Sequence, residues 1–290
     1  MTPSSLLSVV GPSQLSKELL AELSLILQKE NTFLKNQNPF YIQYKINGSF
    51  SPTLTQHLRQ LSDQYKIDVA IIDENFTQKK KLLFIFDMDS TLVAAEVINV
   101  LADIHGVGDK VKEITKTAMN GGLSFDESLR IRLSMLKGMS RDQLIHVDEK
   151  LPLNPGVEKC MERLRLLGHK TAIASGGFNF FADVLKSRLQ MDYSFSNELE
   201  FSNNALTGHV IGPIVNAEMK EKLVTSIAAS EGLTPEDVVA VGDGANDLLM
   251  LARAHMGVAF HAKETVRAQA KFHISHTGMD TLLYYLGMQE

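Results

Sequence analysis

The sequence predicts an α/β protein: a doubly wound parallel sheet with a helical cap inserted after its first strand, preceded by a small ferredoxin-like α+β unit. Three observations carry that reading. Leu82-Leu83-Phe84-Ile85-Phe86 is an apolar run of strand length that ends at once in Asp87-Met88-Asp89-Ser90-Thr91. Two further runs, 170–174 and 238–241, break into Ser175-Gly176-Gly177 and Gly242-Asp243-Gly244-Ala245-Asn246-Asp247. From about 93 to 151, between the first of these strands and the next, the apolar period turns helical.

Taken in order, residues 1–80 read as a separate unit. Its pattern is an apolar start at 6–10, an amphipathic helix over 14–29, a weak strand near 33–35 and a strand over 40–44. A helix opened by Ser51-Pro52 then carries Leu54, Leu58 and Leu61, and a strand follows over 67–72. This β-α-β-β-α-β order predicts a ferredoxin-like sandwich. A core of that size is small and its sheet has open edges, so pairing with a second copy in a homodimer is expected. Lys79-Lys80-Lys81 reads as a solvated linker into the second unit, 81–290.

Within the cap, Ser124-Phe125-Asp126-Glu127 and Ser140-Arg141-Asp142-Gln143 each fit a capping box, and Gly121-Gly122 ends the helix before them. Cys160 shares a helical face with Val157 and Leu164 and reads as a small core residue. The stretch 197–215, with Asn203-Asn204 between alternating segments, predicts a β-hairpin. Lys220 lies on an apolar stripe with Leu223, Val224 and Ile227, where a lysine ordinarily snorkels to water. His273 and His276 read as structural, and the nine histidines offer no convincing ligand set.

In a parallel sheet the carboxyl ends of the strands border the ligand crevice, so the polar clusters after 86, 174 and 241 gather at one edge. Asp87 and Asp89 repel each other unless a cation or proton holds them. Alone, such a cluster could be turn and cap chemistry. A second acidic strand exit, together with a small-residue turn able to offer hydroxyl and amide donors to an anion, argues against that.

The order of these motifs resembles the haloacid dehalogenase superfamily of phosphatases, with Asp87-Met88-Asp89-Ser90-Thr91 as its first motif and Ser175 as its second. Lys220 and the segment 242–247 match the third and fourth. Ser90-Thr91-Leu92-Val93 with Glu96, Ser128-Leu129-Arg130-Ile131-Arg132-Leu133, and Ser175-Gly176-Gly177-Phe178 resemble the phosphoserine phosphatase family more closely, across roughly 81–287.

That resemblance implies Asp87 as nucleophile, forming an aspartyl-phosphate, and Asp89 as general acid and base. It implies Mg2+ held by the Asp87 carboxylate, the Asp89 main-chain carbonyl and the Asp243 carboxylate, with Asp247 in support. Ser175, Gly176, Lys220 and Asn246 would contact the phosphoryl group, Glu96 a substrate ammonium and Arg132 a substrate carboxylate, with Phe125 and Met119 lining the pocket. The implied reaction is hydrolysis of phosphoserine as the last step of serine biosynthesis, and the alternative is a phosphotransferase or phosphatase of the same fold acting on another small phosphomonoester. The first unit resembles an ACT-like regulatory domain, and a chain beginning near Gln78 is expected to fold and keep the activity. A protein that had kept only a regulatory role would be expected to lack one of Asp87, Asp89, Lys220 or Asp243, and all are present.

Given the phosphate substrate that the resemblance implies, electrostatics also supports a metal. Asp87, Asp89, Asp243 and Asp247 set four negative charges where a phosphate dianion must arrive, and Lys220 offsets one. The chain has 290 residues, 44% of them hydrophobic, and a formal charge of −5 without a basic stripe, so nucleic acid is not an expected partner. No apolar run reaches membrane-spanning length, no cationic leader opens the sequence, and the single cysteine cannot form an internal disulfide, so a reducing cytoplasm is expected.

Overall fold

The structure is a computed structural model that describes residues 4–119, 122–148 and 151–289. The first unit contains β1 (Ser4–Val10), α1 (Lys17–Leu27), β2 (Thr32–Asn38), β3 (Tyr41–Asn47), α2 (Pro52–Tyr65), β4 (Asp68–Asp73) and the single turn α3 (Glu74–Thr77). Its strands form an antiparallel sheet in the order β2-β3-β1-β4, the ferredoxin-like arrangement. Ser16 and Ser51 cap the two long helices by accepting from Leu19 N and Leu54 N. The weak strand expected near 33–35 is a full edge strand, because pairing with β3 supplies what its polar sequence lacks.

One face of this sheet, with Leu7 and Val9, packs on Leu19, Leu23, Leu58 and Leu61 of its own helices. The other face is buried against the second unit. Val10, Tyr41, Ala70 and Ile72 join the large core that also contains Leu282, Tyr285 and Leu286 near the C-terminal end of the chain. Side chains of Ser8, Tyr41 and Gln43 all donate to the Tyr284 carbonyl, at 3.2, 3.3 and 3.4 Å. Asp68, fully buried, accepts from Ser275 N, His276 N, Thr277 N and Thr277 Oγ1 at 2.6–3.0 Å. Of the three lysines at the junction Lys80 is exposed, as a solvated linker would have it, but Lys79 and Lys81 are anchored. Lys79 pairs with Asp237 and Lys81 with Glu231, each also donating to a main-chain carbonyl, because the chain crosses directly over that surface.

The second unit begins with β5 (Leu83–Phe86), and the cap follows as α4 (Val97–Ile104), α5 (Gly108–Met119), α6 (Phe125–Ser134) and α7 (Arg141–Asp148). The chain then runs through α8 (Val157–Leu166), β6 (Lys170–Phe178), α9 (Asn179–Leu189), the hairpin β7 (Tyr193–Ser202) and β8 (Ala205–Ile211), and α10 (Ala217–Ser230). It finishes with β9 (Val238–Gly242), α11 (Leu248–Arg253), β10 (Met256–Phe260), α12 (Glu264–Arg267), β11 (Phe272–Ile274) and α13 (Thr281–Leu286).

The sheet order is β11-β10-β9-β5-β6-β7-β8, parallel except for β8. The chain winds from β5 toward β7 on one side and from β9 toward β11 on the other, so the direction reverses beside β5. β5 is fully buried between its neighbours, which is why it reads as continuous apolar sequence.

Both expected capping boxes form: Ser124 exchanges bonds with Glu127, and Ser140 with Gln143. Gly121 of the expected helix stop lies outside the described residues, while Gly122 N donates to Thr117 O. The hairpin turns through Asn203 and Asn204, both with positive φ (49° and 63°), as a two-residue hairpin turn requires. Its turn end also holds the cap. Gly138 N and Leu206 N exchange bonds with Leu206 O and Met139 O, and Arg141 N donates to Asn204 O. Among the described residues no helix is long and apolar enough to cross a membrane.

Candidate active site

Phe86 lies opposite Ile173 on one side and Val241 on the other, so the polar segments that follow these three positions gather at one edge of the sheet. Asp87 N still pairs with Val241 O at 2.9 Å. The chain then coils tightly: Leu92 N and Val93 N both donate to Met88 O, and Ser90 takes a left-handed φ of 59°. Asn154, just after the cap, clamps this coil. Its Nδ2 donates to Ser90 O and Thr91 O at 3.0 and 2.9 Å, and its N to Leu92 O. The sequence reading missed Asn154, for which the only local signal is an Asn-Pro turn dipeptide.

Lys220 is carried by the first turns of α10, whose N-cap Asn216 accepts from Met219 N. It does not snorkel. Fully buried, its Nζ donates to Asp87 Oδ1 at 2.6 Å and to Asp247 Oδ1 at 2.7 Å. Asp247 Oδ2 accepts from Gly244 N at 3.0 Å, and a Cβ on Gly242 would stand 2.5 Å from the Asp247 carboxyl carbon, so glycine there lets the carboxylate lie against the strand end. Asp243 Oδ1 accepts from Thr91 Oγ1 at 3.0 Å, a bond that ties the first acidic loop to the last.

Carboxylate oxygens of Asp87, Asp243 and Asp247 lie within 4.8 Å of one another and form a group able to hold a metal ion. Both Asp247 oxygens are already engaged, which leaves Asp87 Oδ2 and the Asp243 carboxylate as the better-placed donors. Burial pushes the Asp87 carboxyl well above its ordinary range against the pull of Lys220, with Asp247, Asp243 and Asp89 adding to the rise. Asp243 is raised to about 7 by burial and by Asp247. Burial works against the Lys220 charge, but Asp247 and Asp87 overcome it and hold the ammonium above the usual lysine range. A crowd of oxygen donors with more negative charge than one lysine can offset is suited to a hard divalent cation.

The Asp89 carboxylate stands apart from that group, accepting from Val97 N at the start of α4 at 3.4 Å. Burial and then Glu96 raise its carboxyl well above the usual value. Ser175 is fully buried and accepts from Gly177 N at 2.9 Å, which keeps its hydroxyl proton available to an acceptor in the crevice. A Cβ on Gly177 would sit 3.1 Å from Asp89 Oδ2, and one on Gly176 only 2.6 Å from Phe125 Cζ. Phe125 therefore closes α6 of the cap down onto the glycine turn.

Arg132 comes in from the same helix, buried, with Nε donating to Ser128 O at 3.2 Å. Burial lowers its pKa, while the charges of Glu96 and Asp89 act to raise it. Glu96 is exposed at the entry to α4 and accepts from Ser90 Oγ at 3.1 Å. Asn246 is half-buried beside Gly244, without a side-chain bond to the carboxylates. The Met119 side chain lies outside what the structure describes.

Residues 82–255 match the family model for haloacid dehalogenase-like hydrolases. The chain is 43% identical over 220 residues to a phosphoserine phosphatase of Archaeoglobus fulgidus, covering 76% of this chain but only 64% of that protein's length. It is 35% identical over 274 residues to a probable phosphoserine phosphatase of Schizosaccharomyces pombe, covering 94% and 92% of the two chains. A crystal structure of a haloacid dehalogenase family hydrolase from Salmonella enterica serovar Typhi superposes over 98% of both chains with a TM-score of 0.89 and 31% identity.

Proposed function

We propose that this chain, which belongs to the haloacid dehalogenase-like hydrolase family, hydrolyses O-phospho-L-serine to L-serine and phosphate. The feature that supports the substrate is a buried cation, Arg132, and an acid, Glu96, carried by the cap and its entry near Asp89, which would suit a carboxylate and an ammonium on one small substrate. The names of the relatives support the same reading.

In this proposal the Asp87 oxygen not held by Lys220 attacks phosphorus, and the serine oxygen leaves with a proton from Asp89. Asp89 then takes a proton from the water that attacks the aspartyl-phosphate, which releases phosphate and restores Asp87. Ser175 and Gly176 donate to the phosphoryl oxygens, Asn246 adds a contact, and Lys220 offsets charge that builds in the transition state. Mg2+, held by Asp87, the Asp89 carbonyl and Asp243 with Asp247 supporting, would supply charge neutralisation at the phosphoryl group. Phe125 and the cap exclude bulk water.

Phosphate release from a panel of small phosphomonoesters, with chelator and with Mg2+ restored, tests the reading. Phosphoserine is expected to lead the panel and to be turned over only with the metal. Preference for another phosphomonoester, or transfer to an alcohol in place of water, would move the chain to another activity of the fold. Turnover in excess chelator would remove the metal from the proposal.

The same proposal divides the chain into an accessory unit at 1–80 and a phosphatase unit at 81–290 with its cap at 93–151, in a cytoplasmic enzyme of serine biosynthesis. It also includes a homodimer through the edge strand β2, where Phe33 and Leu34 are exposed. Sedimentation of the full chain against a Leu34→Lys variant tests that contact, with loss of the dimer expected.

A further inference from the structure

The bulge in β6 sets up a buried contact that joins two of the site's loops. Pairing between β6 and β7 runs to Ala174 opposite Phe195 and resumes at Phe178 opposite Asn197. Ser175, Gly176 and Gly177 thus loop out of the ladder, and the Gly176 carbonyl loses its strand partner. The Asn197 side chain replaces it: Nδ2 donates to Gly176 O at 2.8 Å. Its Oδ1 accepts from Val215 N at 2.9 Å, which also fixes which way round the amide sits, since a backbone N–H can only face the oxygen.

Asn197 is 1% exposed, so this amide is dry and both of its bonds are made inside the protein. Val215 immediately precedes Asn216, the N-cap of the helix whose first turns carry Lys220, and Lys220 N itself bonds Asn216 O at 2.9 Å. One side chain therefore spans the glycine turn and the root of the lysine helix. A peptide plane is rigid, so holding the Gly176 carbonyl on Asn197 sets the direction of the Gly177 N–H and of the turn around it.

We infer that Asn197 is a positioning residue for the phosphoryl group, fixing the glycine turn and the approach of Lys220 relative to one another without touching substrate. The inference rests on the phosphomonoesterase reading. Exact placement of donors matters because they must meet the charge that develops in the transition state, and a small misalignment is costly in rate.

Asn197→Asp separates the two bonds. It keeps an acceptor for Val215 N and sets an oxygen against the Gly176 carbonyl. The test compares wild type, N197D and N197S on phosphoserine and on 4-nitrophenyl phosphate, with thermal unfolding alongside, and measures binding of inorganic phosphate in the presence of Mg2+ by calorimetry. In folded N197D, kcat/KM should fall by about 10- to 100-fold, equally on both substrates, as expected when donors to the phosphoryl group are misplaced both for bound phosphate and for the transition state.

Phosphate binding should weaken in parallel. Turnover within about two-fold of wild type overturns the inference, as does a loss confined to phosphoserine, which would place the effect in the cap. If N197D does not fold, N197S carries the same comparison. Failure of both to fold assigns Asn197 to the fold alone and also overturns it. If the wild type hydrolyses neither substrate, the phosphatase reading fails by itself, and weakened phosphate binding in the variants still supports the positioning role.

Discussion

Asp68 and Asp87 are both buried aspartates at the end of a strand, and the chain serves them in opposite ways. Asp68 opens β4 and takes three main-chain N–H groups and a hydroxyl from 275–277, so each of its oxygens has donors. Asp87 follows β5, shares one lysine with Asp247, and stands close enough to Asp243 and Asp247 for their charges to raise its pKa further. The first arrangement is complete without anything added. The second is left short of positive charge, and that shortage makes it the candidate reactive site, whereas Asp68 is a rivet between the two units.

The largest expected contrast is in rate. Asp87→Asn should lower turnover by on the order of 10⁵-fold, because an amide oxygen is a poor nucleophile. Its unfolding midpoint should stay level or rise, since one charge leaves a crowded, buried cluster. Steady-state phosphate release and thermal unfolding check both halves, and a large fall in stability would show that Asp87 is a structural partner of Lys220 in the way Asp68 serves its loop.

Lys220→Met should act in the reverse sense on stability. It strands Asp87 and Asp247 together in the core, at a cost of about 3–5 kcal/mol in urea unfolding at neutral pH. A loss below about 1 kcal/mol would mean that the carboxylates shed their charge or gain water, and that the burial argument overstates the crowding.

Asp68→Ala is the matching change at the rivet. Four donors lose their acceptor, and stability should fall by about 3 kcal/mol while turnover per folded molecule stays near wild type. Lowered turnover in a folded variant would tie the first unit to catalysis.

The smallest effect comes from the opposite end of β5. His169 Nδ1 accepts from Leu82 N at 3.2 Å, and burial lowers its pKa. A folded pKa below the unfolded value of about 6.5 means the stability from neutral His169 is complete above that pH and lost as pH falls below it. The unfolding midpoint should therefore decline as the pH falls below about 6.5, less so in His169→Gln.

Much of this could be read from the residues in order. β5, β6 and β9 announce themselves because strands buried on both faces must be apolar throughout, and the loops beyond them must be polar and glycine-rich to approach a ligand. The capping boxes at Ser124 and Ser140 and the turn at Asn203-Asn204 are local chemistry with local signatures, and all three form. What escaped is what depends on partners distant in the chain. Asn154 and Asn197 are ordinary asparagines until the fold sets carbonyls of other loops against them.

The same holds for the first unit. Its β-α-β-β-α-β order follows from alternating apolar periods, which the sequence alone determines because side-chain direction along a strand or helix is set by backbone geometry. That the second face of its sheet is buried on α13, that Asp68 holds 275–277, and that Lys79 and Lys81 are anchored could be decided only by the tertiary structure. Each of those contacts joins groups 150 or more residues apart, and nothing in the local pattern of a lysine or an aspartate records which distant surface will meet it.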